Sequence, residues 1–289
     1  MEMINRAGLN AVGLETTLLV HGVPRGQGER LARELSEIVR EAGAMPAFVG
    51  IFHGRGVVGM DFNELNEVLL EEHIEKANSA NMGVLMHRGQ HGATTVSATM
   101  ELCAAAGVRV FATGGIGGVH KGYGERWDVS SDLAALARFP VAVVASGVKS
   151  LLDVTATREV LETLGVPVVG FRTERFPAFY LRDGGCSVDA VFGDEGELAR
   201  YLAAELRRTG RGILVANPIA ESDEIARRDW DRWIAEAEKR VGGADGRNVT
   251  PRLLAALHEV SGGATLRANL ALVRGNAKLA GALAVTMGS

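Results

Sequence analysis

The sequence predicts a layered α/β domain built on a mainly parallel sheet. Short apolar, β-rich runs alternate along the chain with segments of helical period. One of these runs, residues 141–146 (VAVVAS), carries no charge, as a strand covered by helices on both faces requires. No internal repeat, low-complexity tract or long polar linker divides the 289 residues. One domain, residues 1–289, is therefore the simplest organisation.

The elements follow in order. Residues 16–20 read as the first strand, with two threonines and a valine around a leucine pair. Residues 28–42 read as a helix with Leu31, Leu35, Ile38 and Val39 on one face. Residues 46–51 and 57–60 read as strands, and 64–76 as a helix. Residues 95–106 are helical, and Gly107 opens the strand 108–113. After the strand 141–146, the helix 156–164 stops at Gly165, with Pro167 just beyond. Residues 168–171, 188–192 and 212–216 supply further strands. Helical stretches at 198–208, 220–240, 251–260 and 266–287 make a C-terminal third that wraps the sheet.

Composition narrows the function. The 31 basic and 35 acidic side chains leave a net charge of −4, so no global positive field draws the chain to nucleic acid or an anionic membrane. A hydrophobic share of 47% with 23% charged residues argues against disorder. Cys103 and Cys186 cannot make a disulfide framework, and no CxxC pattern suggests zinc. A reduced, cytoplasmic compartment fits this usage. No run approaches the roughly 18 apolar residues of a membrane span, and the N-terminal stretch lacks the pattern of a secretory signal.

Chemistry concentrates at the predicted strand exits. Thr113-Gly114-Gly115-Ile116-Gly117-Gly118 follows a strand directly, where open α/β sheets bind ligands and glycine admits a close backbone approach. The dinucleotide fingerprint fails there, because His120 stands at its third glycine position. Gly92-Ala93-Thr94-Thr95 precedes a helix and can offer amides and hydroxyls to a phosphate, or simply an N-cap. Asp128-Val129-Ser130-Ser131-Asp132 opens another helix. Its serines suit a cap, and Asp128 suits a largely hydrated magnesium or manganese ion. Lys149 follows the strand 141–146, where desolvation can produce a neutral, nucleophilic amine; solvation of a loop lysine is the bland alternative. Glu15 precedes the first predicted strand. The seven histidines show no metal spacing, and His21 and His120 stand out only for lying beside strand exits.

Taken together, these stretches resemble the pseudouridine-5′-phosphate glycosidase family along nearly the whole chain. The resemblance runs through Glu15-Thr16-Thr17-Leu18 with His21-Gly22, Gly92-Ala93-Thr94-Thr95-Val96 and Val110 to His120. It continues through Asp128-Val129-Ser130-Ser131-Asp132, Gly147-Val148-Lys149-Ser150, Phe176-Pro177-Ala178-Phe179, Val215-Ala216-Asn217-Pro218-Ile219 and Asn269. It implies a three-layer α/β/α sandwich, a homotrimer, and reversible cleavage of the carbon–carbon bond between C1′ of ribose 5-phosphate and C5 of uracil. It also implies Lys149 as the Schiff-base nucleophile, Glu15 as proton donor, and Asp128 as ligand to a divalent metal, manganese or magnesium. Substrate contacts would come from Lys76, Thr94, Thr95, Val96, Thr113, His120, Ser130, Ser131, Asp132 and Asn269. A C-glycosidic bond offers no leaving heteroatom to protonate, so an imine at C1′ is a chemically apt electron sink.

Three stretches depart from the family pattern. Lys76-Ala77-Asn78-Ser79-Ala80-Asn81 replaces Lys-Val-Ser-Arg-Arg-Asp. Residues 121–127 bring in Tyr123 and Trp127, and Val23-Pro24-Arg25-Gly26-Gln27-Gly28 replaces a Met-Pro-aromatic stretch. These changes suit a different aglycone or oligomer contact. Hence the alternative expectation of a C-glycosynthase acting on another aromatic or heterocyclic acceptor in natural-product biosynthesis. A non-catalytic sugar-phosphate binder needs neither Glu15 nor Lys149.

Overall fold

The computed structural model describes residues 3–125, 127–241 and 249–288. In chain order the elements are β1 (Met3–Asn5), β2 (Ala11–Glu15), α1 (Thr16–His21), α2 (Gly28–Glu41), β3 (Met45–Phe52), β4 (Arg55–Val58), α3 (Phe62–Leu70) and β5 (Glu75–Ala77). Then come α4 (Met82–His87), β6 (Gly92–Thr94), α5 (Val96–Ala106), β7 (Val110–Ala112), α6 (Ser131–Arg138), β8 (Ala142–Ala145), α7 (Val154–Thr163), β9 (Val168–Phe171) and β10 (Ala190–Phe192). The chain continues with α8 (Glu195–Thr209), β11 (Ile213–Ala216), a 3₁₀ turn (Glu221–Asp223), α9 (Arg227–Val241), α10 (Val249–Val260) and α11 (Ala264–Gly288).

The described strands form one sheet in the order β1-β4-β3-β2-β7-β8-β11-β9-β10, with β6 pairing β3 and β5. Its pairs are parallel except β3 with β4 and β3 with β6. Strand periodicity divides the apolar residues between two cores. Val12 and Leu14 of β2, with Val110 and Ala112 of β7, join Leu31, Leu35, Leu202, Leu272 and Ala280 on one face. Phe111, Val49, Ile51 and Val143 join Met100, Leu102, Leu136 and Leu161 on the other. Helices α2, α8 and α11 therefore cover one face and α5, α6 and α7 the other, which is the expected α/β/α sandwich. A side chain such as Phe111, with no exposure, sits where truncation to alanine costs about 3–5 kcal/mol.

Three expectations need correction. The helix expected over 220–240 begins only at Arg227, after a 3₁₀ turn at Glu221–Asp223. Residues 16–20 are not a strand: the strand ends at Glu15, and Thr16–His21 is helical. Gly13 and Glu15 disguise a five-residue strand that is buried throughout. Gly13 is needed because a Cβ there would lie 2.6 Å from Cys103 Sγ. The two threonines mark the turn instead, Thr16 Oγ1 donating to the Val49 carbonyl (2.9 Å) and Thr17 Oγ1 to that of Ala93 (2.9 Å). Nor does one helix run from 64 to 76. An Asp61/Glu64 capping box starts α3, the helix ends at Leu70, and Lys76 lies on β5, pairing with β6. β1 (MIN), β5 (EKA) and β6 (GAT) lack the unbroken apolar run that β7 (VFA) and β10 (AVF) carry, which is why they are not among the expected elements.

Candidate active site

A cavity of about 390 Å³ opens at the carboxyl ends of β2, β7 and β8. Glu15 ends β2, Thr113 follows β7, and Lys149 follows β8 by four residues. All three line the cavity, with Lys76 of β5, His21 of α1, and His258 and Asn269 of the C-terminal helices. Parallel strands deliver their ends to one edge of the sheet, so residues far apart in sequence converge there.

The turn after β8 depends on Gly147. Its φ is +73°, and a Cβ would fall 1.7 Å from the Pro177 carbonyl oxygen. That close approach lets the Lys149 amide donate to Ile116 O (3.1 Å), tying the lysine turn to the glycine loop. Asn276, fully buried on α11, pins both neighbouring exits. Its Nδ2 donates to Thr113 O (2.8 Å) and Ser146 Oγ (3.1 Å), and its Oδ1 accepts from Asn217 Nδ2 (2.9 Å).

Electrostatics favour proton transfer in this cavity. Burial pushes the Glu15 carboxyl up; the nearby Lys149 charge, a hydrogen bond from Thr113 Oγ1 and the Lys76 charge oppose it, while Asp132 reinforces it. Burial, and then the Lys149 charge, pull the Lys76 ammonium down against Glu15. Burial and Lys76 likewise lower His21, against a backbone hydrogen bond at Ile74. Burial lowers His258, whose Nδ1 lies 2.7 Å from Thr265 Oγ1. Asn269 donates through Nδ2 to Gly22 O (3.1 Å), and its buried Oδ1 has no partner among the described residues. That oxygen can accept from a ligand N–H.

The other residues singled out in the sequence lie outside the cavity lining. Asp132 is buried, its Oδ2 accepting from the Gly117 amide (2.8 Å) and its Oδ1 from the Ser97 amide (3.0 Å). It thereby clamps the glycine loop to the start of α5. Ser130 caps α6 by accepting from the Asp132 amide (3.2 Å). Ser131, Ser97 and Thr95 form a hydroxyl chain at 2.9 and 3.2 Å. Thr94 donates to Val49 O (2.6 Å), and Val96 is core. His120 and Asp128 stand at the exposed loop beyond, Nδ1 to Oδ2 at 3.8 Å. One exposed carboxylate beside one imidazole fits a divalent ion that keeps most of its water, and does not form a protein cage.

Two features escape a reading of the sequence. His258 lies far along the chain from Glu15, Lys76 and Lys149, with no local motif to mark it. His53, Glu67 and His91 also gather, beside the β3–β4 turn, with one ligand atom from each within 4.8 Å of the others. The linear spacing of the histidines carries no sign of this cluster.

Fold and cavity together define an α/β/α protein with a buried carboxyl group and two lysines at one sheet edge, a site suited to carbonyl or proton-transfer chemistry on a small ligand. The chain belongs to the family described as indigoidine synthase A like protein, which matches residues 2–286. It is 45% identical over 284 residues to the pseudouridine-5′-phosphate glycosidase of Salinispora tropica, covering 97% of this chain and 88% of that protein. To the Caldanaerobacter subterraneus protein of the same name it is 44% identical over 280 residues, covering 96% and 91%. The resemblance read from the motifs thus extends through the chain. Among solved structures, an indigoidine synthase A-like protein from Thermotoga maritima superposes with a TM-score of 0.92 at 39% identity, covering 100% of this chain and 97% of that one. The prealnumycin C-glycosynthase AlnA, solved in complex with ribulose 5-phosphate, gives 0.89 at 34%, covering 96% and 91%.

Proposed function

We propose that this chain makes and breaks a carbon–carbon bond between C1′ of ribose 5-phosphate and C5 of uracil, working as one domain. The observation that carries the reading is the convergence of Glu15, Lys149 and Lys76 on one cavity, with burial holding the Glu15 carboxyl toward its protonated form. In the forward sense, Lys149 Nζ condenses with the opened sugar aldehyde, releasing water and leaving an imine at C1′. C5 of the base adds to C1′ and gives up its proton to Glu15. The sugar hydroxyl then closes on C1′ and expels the amine. Cleavage runs the same steps backward, with the Glu15 acid protonating C5.

Thr113 orients Glu15, and Asn269 Oδ1 accepts from a ring N–H of the base. Lys76 contributes positive charge to the sugar phosphate, whose binding energy aligns C1′ with Lys149. Thr95, Ser131 and the amides at the start of α5 suit the phosphate oxygens. Val96, Thr94, His120, Ser130 and Asp132 would support that wall. Asp128 would hold a hydrated manganese or magnesium ion, supplying charge near the phosphate. A homotrimer is the proposed assembly, and the cytoplasm the proposed compartment.

Borohydride reduction in the presence of ribose 5-phosphate, followed by peptide mass mapping, tests the imine. A reduced adduct on Lys149 is expected; an unmodified Lys149 with intact enzyme overturns it. Uracil and ribose 5-phosphate should yield pseudouridine 5′-phosphate. A second reading, a C-glycosynthase with another acceptor, is favoured by Val23, which stands where the family has methionine, with the retained Pro24 beside it. These belong to a stretch that departs from the family pattern, and they line the cavity. Imine formation without reaction on uracil would select it.

A further inference from the structure

We propose that His53, Glu67 and His91 form a divalent-cation site of the zinc class, separate from the catalytic cavity. The three side chains come from the β3–β4 turn, the second turn of α3 and the residue before β6. Glu67 Oε1 lies 3.0 Å from His53 Nε2 and 3.7 Å from His91 Nε2. Ligand atoms at about 2.0–2.1 Å around a tetrahedral ion stand roughly 3.3 Å apart. These two separations straddle that value, and the three ligand atoms all lie within 4.8 Å of one another.

The donor set narrows the ion. Two imidazoles and one carboxylate suit zinc, cobalt or nickel, whereas magnesium and calcium prefer oxygen alone. Glu67 and His53 are about half exposed, with side-chain exposures of 51% and 59%, so water can fill the fourth position. His91 is mostly buried at 12%, and its Nδ1 has no hydrogen-bond partner among the described residues.

The turn itself supports the proposal. Phe52 pairs with Arg55 across the hairpin, leaving His53 and Gly54 as the two turn residues, with φ of +45° and +72°. Asn-Gly is the favoured pair for such a turn. Histidine here gives up local ease and aims an imidazole at Glu67. An ion would join three segments far apart in sequence. It would also fix the entry to β6, whose Ala93 pairs with Lys76. The effect on Lys76 rests on the functional reading above; the ion binding does not.

The test uses the intact chain, metal-free, with zinc or cobalt as the probe. With excess magnesium present to occupy the hydrated position proposed at Asp128, equilibrium dialysis should find one zinc per chain, and cobalt should show visible d–d bands of a low-coordinate site. Zinc should raise Tm, since the three ligands, from segments far apart in sequence, meet only in the folded state. His53→Asn keeps the turn and Glu67→Gln keeps the helix. Each should weaken zinc binding at least tenfold and abolish the Tm rise, while the metal-free Tm of His53→Asn matches or exceeds wild type. Zinc binding unchanged in both variants overturns the proposal, as does wild type that takes up no zinc. Thiolate charge-transfer bands in the cobalt spectrum would assign the ion to Cys186 and overturn it equally. All of these readouts are independent of catalysis.

Discussion

Replacing Asn276 with leucine tests whether α11 holds the two catalytic strand exits in place. Leucine has the branched skeleton of asparagine with bulkier methyl groups, so it leaves no room for a rescuing water. It strips the hydrogen bond from Thr113 O and the bond accepted from Asn217 Nδ2. Ser146 Oγ keeps its bond to Asn217 O (2.9 Å), so the groups that lose their Asn276 partner are the buried Thr113 carbonyl and the half-buried Asn217 amide. The buried orphan costs about 1–3 kcal/mol and water can satisfy the other, giving a destabilisation of about 1–3 kcal/mol. At ~2–4 °C per kcal/mol for a chain of this size, the midpoint should drop by at least about 2 °C. Thermal denaturation followed by circular dichroism reads this directly. Because Thr113 and Ser146 flank the groups proposed to act, kcat should fall while KM changes little. A double-mutant cycle with Asn217→Ala adds a stricter condition. Once Asn217 loses its amide, Asn276→Leu should cost less. A variant within 2 °C of wild type, or strictly additive costs, refutes this account of the network.

Other substitutions read other parts of the site. Glu15→Gln removes a carboxyl that burial holds above its unfolded range, so the ionised form opposes folding. The stability Glu15 contributes is present below its unfolded pKa and is lost as pH rises through the folded one. Glu15→Gln should therefore equal wild type in Tm near pH 4 and exceed it at pH 8, while losing C–C bond cleavage. Lys149→Ala should abolish borohydride-trappable adduct with ribose 5-phosphate, with circular dichroism unchanged. Gly147→Ala places a Cβ against Pro177 O at positive φ, so soluble yield and Tm should both fall sharply. Asn269→Ala should raise KM for the base more than for ribose 5-phosphate, because its side chain lines the cavity with an unpartnered Oδ1.

The sheet is legible in the sequence because buried parallel strands must be apolar on both sides, as residues 142–145 and 168–171 are. The strand-exit rule points to Thr113 and Lys149 from the amino-acid pattern alone. Glu15 is harder: a buried acid and a glycine interrupt the apolar pattern of its strand, which shifts the expected strand five residues along the chain. Lys76 falls within an expected helix, yet the helix ends six residues earlier. What stays hidden is set by long-range packing. Asn276 looks like one polar residue in a small-residue helix, although it lies seven residues from Asn269 and so shares its face. His258 and the His53–Glu67–His91 cluster depend on segments that only the folded sheet brings together.

The departures from the family pattern separate into different kinds of change. Val23 replaces the family's methionine in the cavity lining, so that stretch can reshape what the acceptor touches. Residues 78–81 act one step back: Asn81 Nδ2 donates to the Lys76 carbonyl (3.0 Å), and Asn78 Oδ1 accepts from the Ala80 amide (2.9 Å), so neutral amides hold the lysine strand where charged residues are usual. The loop after His120 does neither. Tyr123 and Trp127 pack on each other at 5.4 Å, and Trp127 remains 80% exposed; Arg126 lies outside the described residues. An aromatic pair on the surface beside Asp128 cannot select an acceptor inside the cavity from that position. Acceptor preference should therefore follow the segment from Val23 to Gly28. On the C-glycosynthase reading, exchanging that segment for the family's Met-Pro-aromatic version should move activity toward uracil, whereas on either reading Trp127→Ala should leave the acceptor profile unchanged. If the profile instead follows Trp127, the loop closes over the ligand, and the static cavity is not the acceptor's whole enclosure.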